Sequence, residues 1–343
     1  MAKPTLRDVA ERAGVSSATA SKALNGRADI AEQTRTRVAR AATELDYLPK
    51  SRTVPQDRPL VSLITDSIDA YYSCEVLRGM VEEGARRGID VVARIESRAS
   101  GPRLSTREWE RTFLRSGVTG IVLLVYHVDS PVFEVAERRR APVVAIDPYT
   151  GSLGASTTIS STNWEGSKAA TEHLLQLGHR RIAVITGTSD FIPGNERLHG
   201  YRAAMLDAGL AVEDALIFEG NYTFGSGFDA AERMLELSDP PTAVFALSDR
   251  MALGAVRAFQ SHGIRVPEDV SVVGFDNSPG TDLSTPGLTT VGQPLAAMGR
   301  LAVKSIEELS TVPAAGPQRM QLATHLIVRA STAPPRRSPA LVG

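Results

Sequence analysis

Cysteine is nearly absent. Cys74 is the only one in 343 residues, so no intrachain disulfide can form and a reducing compartment is the natural setting; a lone cysteine on a helix reads as a small apolar residue. Long apolar runs are missing as well. No stretch approaches the roughly 18 apolar residues of a membrane span, and the opening MAKPTLRD carries no apolar run of the kind an export signal needs, so a soluble cytoplasmic protein with no membrane partner is expected. Signatures of catalysis and metal binding are lacking too: no H-E-x-x-H, no G-x-S-x-G, no Walker loop, and six histidines without metal spacing. Gly225 to Ala230 fits G-x-G-x-x-A, but it follows Tyr-Thr-Phe with no βαβ unit opening the chain, and it reads as a helix start rather than a dinucleotide site. Paired acids such as Glu82-Glu83 and Glu307-Glu308 read as solvated helix faces. Neither an enzyme nor a cofactor or metal is expected.

Net charge is also close to zero, at −1, but it is unevenly spread. Residues 1–60 hold 11 Lys and Arg against 7 Asp and Glu, leaving 27 against 32 in the remainder. A mildly basic end on an acidic body fits a nucleic-acid module joined to something else. A chain of this length is too long for one ordinary core and predicts two or three domains.

The basic end has a local plan. Leu6, Val9, Ala10 and Ala13 recur at i, i+3, i+4 and i+7, the spacing of a short helix with one apolar stripe. Thr5 and Asp8 can cap it, Gly14 tolerates the left-handed turn, Val15 plugs the corner, and Ser16 can cap a second helix from Ser17 to about Leu24. Ala20, Ala23 and Leu24 form an apolar face on that helix; Ser17, Thr19, Ser21, Lys22 and then Asn25 form a face of donors and acceptors. Two helices so joined make a helix-turn-helix. A third, from about Glu32 to Leu45, completes a headpiece, 1–49. The polar, proline-punctuated run KSRTVPQDRP forms a linker, 50–59.

From Leu60 apolar runs alternate with amphipathic helices, the pattern of parallel sheets with crossover helices. The plan repeats: Val61-Ser62-Leu63-Ile64-Thr65-Asp66 and Ile182-Ala183-Val184-Ile185-Thr186-Gly187 each open a lobe. Two open-sheet lobes in series predict a cleft in which a small molecule meets the carboxyl ends of the strands. Asp276 ends the apolar run SVVGFD, where an ionised group is costly unless it meets donors; it is the leading candidate to receive a ligand hydroxyl, with a loop cap as the alternative.

The arrangement D-V-A-x-x-A-G-V-S-x-x-T-x-S-x-x-L-N, from Asp8 to Asn25, resembles the DNA-binding headpiece of the lac-repressor (LacI/GalR) family. The resemblance extends along nearly the whole chain, through EVLRGM at Glu75, HLLQLGHRRIAVI at His173, SDRMALG at Ser248, VPEDVSVVGFDN at Val266 and PGLTTVGQP at Pro286. It implies an α/β chain: a three-helix headpiece followed by a periplasmic-binding-protein-like sensor, 60–334. The final segment crosses back, giving sublobes of about 60–160 plus 290–320 and 161–289 plus 321–334. The Pro/Arg-rich tail, 335–343, is expected to be disordered and lacks heptads for a tetramer-forming coil.

By matching positions, the resemblance assigns Ser17, Ala18 and Lys22 as base readers and Thr5, Ser16, Thr19, Ser21, Asn25 and Thr34 as phosphate contacts. Lys22 stands where arginine is more familiar, so softer discrimination is expected there. The linker departs from the family's hinge helix: Val54 could act as a small minor-groove wedge, or Lys50 and Arg52 could contact phosphates without one. For the cleft, the resemblance adds Tyr71, Tyr72, Asp147, Arg197, Tyr222, Ser248 and, on a crossover, Gln293 to Asp276, and Phe191 is a further aromatic near a strand end, where core packing is the alternative; carboxylates, guanidinium and aromatics together suit sugars. Phe191-Ile192-Pro193-Gly194 looks too apolar for purine recognition, and Thr162-Asn163-Trp164 is similar to regulators of plant-derived sugars such as xylosides or cello-oligosaccharides. A homodimeric repressor of carbohydrate-utilisation genes, released from a pseudo-palindromic operator by a mono- or oligosaccharide, is the expectation. A corepressor-dependent repressor answering a non-sugar metabolite is the alternative. A transport protein with the same clamshell would need an export signal and no headpiece.

Overall fold

The structure, a computed structural model, describes residues 4–24, 27, 30–45, 47, 58–68, 71–96, 105–115, 118–125, 131–149, 157–311 and 318–336. It divides into two compact units, Met1–Asp57 and Arg58–Gly343.

The first unit holds α1 (Leu6–Ala13), α2 (Ser17–Leu24) and α3 (Glu32–Glu44). A reciprocal cap starts α1: the Asp8 amide donates to Thr5 Oγ1, and the Thr5 amide donates to Asp8 Oδ2 at 2.6 Å. Those bonds hold the Asp8 carboxyl below its usual range. Gly14, at φ +64° with open space around it, turns the chain, and the Val15 amide closes the corner on Ala10 O at 2.9 Å. The core consists of Val9, Val38 and six alanines, Ala10, Ala13, Ala20, Ala23, Ala41 and Ala42, so three short helices approach closely around very little apolar bulk. Arg12 reaches Glu44 at 3.0 Å, tying α1 to α3, and Arg40 holds the same carboxylate from within α3 at 3.0 Å.

The second unit contains twelve strands and eight helices among its described residues. Its first lobe is built from β1 (Leu60–Thr65), α4 (Tyr71–Arg87), β2 (Asp90–Ile95), α5 (Thr106–Arg115), β3 (Val118–Leu124), α6 (Val132–Arg139), β4 (Val143–Ile146) and β5 (Thr157–Ser161). The second has α7 (Asn163–Gln176), β6 (Ile182–Thr186), α8 (Ile192–Asp207), β7 (Ile217–Glu219), α9 (Phe224–Leu235), β8 (Ala243–Ala246), α10 (Asp249–Ser261), β9 (Ser271–Asp276) and β10 (Thr289–Gly292). The chain then adds α11 (Leu295–Thr311) and β11 (Arg319–Leu322) to the first lobe and β12 (His325–Ile327) to the second.

The two six-stranded sheets share one plan, β11-β5-β4-β3-β1-β2 and β12-β10-β9-β8-β6-β7. The first is parallel throughout, whereas β12 runs antiparallel to β10. Central strands are buried along their length because helices cover both faces, and their apolar residues therefore run continuously rather than alternating. α4 and α11 touch backbone to backbone: a Cβ on Gly79 would lie 1.9 Å from Ala296 O, and one on Gly299 would lie 2.1 Å from Val76 O. No larger residue fits either position without separating the helices.

The lobes are joined at three crossings, two of which are laced together. The Thr324 amide donates to Thr162 Oγ1 at 2.9 Å, and Thr324 Oγ1 donates to Thr162 O at 3.0 Å. The structure shifts one expected boundary: β10 pairs with β9, so residues 290–292 belong to the second lobe and the return crossing falls after Gly292. It also corrects the tail. Pro335 and Arg336 belong to the folded unit, Arg336 pairing with Asp269 at 2.7 Å and Pro335 lying beside Gly178; 337–343 lie outside the described residues. The residues of β5, Thr-Thr-Ile-Ser-Ser, carry no apolar run, yet four of the five are buried between β4 and β11. Hydroxyls bonded within the protein replace the apolar signal there. No described helix is long and apolar enough to cross a membrane.

Candidate ligand cleft and nucleic-acid interface

The carboxyl ends of both sheets converge on one set of polar side chains. Asp147 follows β4, Ser160 and Ser161 end β5, Asn163 opens α7, Arg197 lies in α8, Asp276 ends β9 and Gln293 follows β10. Asp147 is fully buried and accepts hydrogen bonds from Tyr72 Oη and Ser160 Oγ. Ser161 Oγ donates to Gln293 Oε1 at 2.7 Å, and Gln293 Nε2 donates to Asp276 Oδ1 at 2.7 Å. Arg197 Nε donates to Asn163 Oδ1 and its Nη1 to Leu247 O, both at 2.8 Å, while Nη1 lies 3.6 Å from Asp276 Oδ1. The guanidinium stacks over Phe275 at 3.9 Å. One connected network thus bridges the two lobes.

Burial sets the electrostatics. It raises the Asp147 carboxyl, against the opposing pull of Ser160, Tyr72 and Arg197. Burial likewise pushes Asp276 up to about 6, with Arg197 opposing. Behind it, fully buried Asp249 accepts from the Ser278 amide at 2.6 Å and Thr290 Oγ1 at 2.5 Å; burial first, and the Asp276 charge second, push it up to about 8. Asp147, Tyr222 and Asp276 all have left-handed φ, at +43°, +63° and +121°. Such conformations are costly for non-glycine residues and collect at binding sites.

Beside this network lies an aromatic wall. Tyr149 of the first lobe and Phe191 of the second form a backbone bridge with rings 5.1 Å apart, and Phe191 meets Tyr222 edge-on at 5.4 Å. Tyr222 fits because Gly187 and Gly194 leave room: a Cβ on either would come within about 2 Å of its ring or hydroxyl. The Tyr222 hydroxyl and Thr188 Oγ1 are buried without a hydrogen-bond partner, and burial raises the Tyr222 hydroxyl's pKa. Buried polar atoms of this kind suit a ligand that supplies the missing partner.

Of the residues predicted for the cleft, Tyr72, Asp147, Arg197, Asp276 and Gln293 fall in the network, and Phe191 and Tyr222 fall in the wall. Tyr71 lines an opening of about 240 Å³ together with Glu75, Arg78, Arg300 and the network residues Asp276 and Gln293. Ser248 is buried and accepts the Met251 amide at 3.4 Å as the cap of α10. Tyr149, Ser160, Ser161, Asn163, Glu196 and Asp249 escaped sequence reasoning. Asn163 and Asp249 each open a helix beside a strand end, a position that could have flagged them; Ser160 and Ser161 sit in the polar strand that carried no apolar signal.

On the headpiece, Ser17, Ala18 and Lys22 are exposed, and Thr19, Ser21 and Thr34 are half-exposed. Ser16 Oγ accepts the Thr19 amide at 3.1 Å and lies 2.8 Å from Thr19 Oγ1, so Ser16 caps α2 while facing solvent. Asn25 and the hinge candidates Lys50, Arg52 and Val54 lie outside the described residues.

A helix-turn-helix unit carried with a two-lobed cleft sensor defines a ligand-responsive DNA-binding regulator. Residues 5–50 match the bacterial regulatory proteins of the lacI family, and residues 171–332 match the periplasmic binding protein-like domain. The chain is 35% identical to the HTH-type transcriptional regulator CelR of Thermobifida fusca, with 96% of this chain and 98% of that one covered. It is 34% identical to the ribose operon repressor of Escherichia coli (strain K12), covering 95% and 99%. The chain belongs to the lacI family of DNA-binding transcription regulators. Among solved structures, the transcriptional regulator CelR-cellobiose complex aligns with a TM-score of 0.72 at 33% identity, covering 96% of this chain and 99% of that one. The lac repressor dimer bound to operator and the anti-inducer ONPF aligns at 0.71 and 27% identity, covering 97% and 100%.

Proposed function

We propose that this regulator is a homodimeric repressor, not an enzyme, whose cleft binds a mono- or oligosaccharide and thereby releases a pseudo-palindromic operator. The observation that carries the reading is the Arg197–Asp276–Gln293–Ser161 chain of hydrogen bonds and charge, which spans both lobes beside an aromatic wall. Sugars pair vicinal hydroxyls with carboxylate and guanidinium groups and lay C–H faces on aromatic rings. A ligand that replaces internal partners of this network changes how the lobes engage, which gives the differential binding that a switch requires. Cellobiose, found with the CelR relative, and ribose, implied by the ribose operon repressor, are the first candidates. For DNA, Ser17, Ala18 and Lys22 are assigned to base edges and Thr5, Ser16, Thr19, Ser21, Asn25 and Thr34 to phosphates.

The test is a thermal-shift series with these sugars and purines on the full chain, followed by operator release for each hit. A stabilising sugar that releases DNA supports the proposal. A ligand that stabilises the protein and tightens DNA binding would replace induction with corepression.

A further inference from the structure

The charges gathered at the cleft do not balance. Four acidic side chains, Asp147, Glu196, Asp249 and Asp276, adjoin the network, Asp249 keeping its proton at neutral pH because burial pushes it up to about 8, and among the described residues the one guanidinium bonded into it is Arg197. That guanidinium is 3% exposed, with Nε and Nη1 bonded to Asn163 Oδ1 and Leu247 O and its face on the Phe275 ring, so only the remainder of its five N–H donors is open to a ligand. The carboxylates retain capacity for donors, since each can accept about four hydrogen bonds.

Glu196 is the least committed of the four. It lies in the first turns of α8, half-buried, and accepts Asn163 Nδ2 at 3.2 Å, the same amide group that reaches Ser160 Oγ at 3.2 Å and Ser161 O at 3.1 Å. The start of a helix ordinarily attracts anions through its free amides and dipole. Here Pro193 removes one of those amides, the Asn195 amide is bonded to Phe191 O, and Glu196 adds a carboxylate in the second turn. Burial first, and the neighbouring Asp147 charge after it, raise the Glu196 carboxyl, with the Asn163 bond and Arg197 opposing.

We propose that the cleft selects by charge: it accepts an uncharged, hydroxyl-donating sugar and excludes the phosphorylated or carboxylated form of the same sugar, with Glu196 as the side chain that sets the exclusion. The proposal rests on the sugar reading above and narrows its ligand class. Like charges brought together in a poorly solvated site cost enough to separate the two forms by about 100-fold in affinity.

The experiment is calorimetric titration of the full chain with matched pairs: glucose and glucose 6-phosphate, ribose and ribose 5-phosphate, cellobiose and cellobiose 6-phosphate. The expected result is that one uncharged sugar binds and its anionic partner binds about 100-fold more weakly or not at all. In Glu196→Gln, the ratio of the two affinities should fall at least about 10-fold, whereas Glu172→Gln, which removes the same charge from the solvent face of α7, should leave the ratio unchanged. A cooperative melt for each variant shows that it is folded. Equal or tighter binding of an anionic form overturns the proposal while leaving the sugar reading in place. A Glu196→Gln protein with the parental ratio overturns the assignment to Glu196. Failure of every sugar, charged or not, overturns the proposal together with the sugar reading.

Discussion

The headpiece and the cleft keep their functional groups in opposite ways. In the headpiece, small alanines fill the core and the groups proposed to meet DNA bases, Ser17, Ala18 and Lys22, stand exposed. In the cleft the functional groups are buried or half-buried and most of them bond one another: Arg197 holds Asn163, Asn163 holds Glu196, and Gln293 holds Asp276. An exposed face can lose one contact at a time. A buried network loses a partner and strands the group left behind. Substitutions should therefore be modest and additive in the headpiece, and large and coupled in the cleft.

The largest effect is expected for Arg197→Ala, which leaves Asp276 and Asn163 facing a void. The sensor unit should lose about 3–5 kcal/mol of stability, measured by denaturant melting, and all response to sugar. Adding Asp276→Asn should recover part of that loss, with a coupling of about 0.5–3 kcal/mol; strict additivity would mean that the two groups are not energetically paired. Asp276→Ala alone should leave operator binding intact and abolish release by ligand, and a variant that still responds would move the site elsewhere.

Smaller effects are expected in the headpiece. Lys22→Ala should cost about 1–3 kcal/mol at the specific operator and relax preference at one base pair, read by binding to a panel of single-base operator variants. An unchanged preference would remove Lys22 from the base readers. Combined with Ser17→Ala, the loss should be close to the sum of the two, in contrast to the cleft pair.

The smallest effect is a pH slope. Asp276 near 6 and Asp249 near 8 keep protons in the folded state that the unfolded chain, with carboxyls near 4, has already released. Stability from this pair is therefore greatest at the acidic end and falls as pH rises from about 4 to 8. The melting temperature of the sensor should be lower at pH 8 than at pH 5.5, and Asp276→Asn should flatten the difference. A wild-type melting temperature that rises over that range would show that the pair does not hold protons.

The same contrast explains what could be read from the chain. The headpiece is local: capping residues, Gly14 and the apolar spacing all fall within 22 consecutive positions, from Thr5 to Gly26, and the helices follow from short-range rules. The lobes were legible because buried parallel strands leave continuous apolar runs. In the cleft, Asp276 was legible because it ends such a run, whereas Asp147 came only from the family resemblance. Asn163, Glu196 and Asp249 were not, because their roles depend on partners far away in the chain, such as Glu196 for Asn163 and Thr290 for Asp249. Ser248 shows the converse: the family resemblance suggested the cleft, and its hydroxyl is used as a helix cap.

The central claim is that occupancy of the cleft controls DNA binding by the headpiece. The direct measurement is fluorescence anisotropy of the full chain on an operator selected from random DNA, with and without the uncharged sugar that raises its melting temperature. The account predicts that saturating sugar weakens operator affinity at least about 10-fold, within the range of ordinary coupling energies, and that Asp276→Ala removes the effect without changing affinity in the absence of sugar. A sugar that binds the cleft and leaves operator affinity unchanged would contradict it.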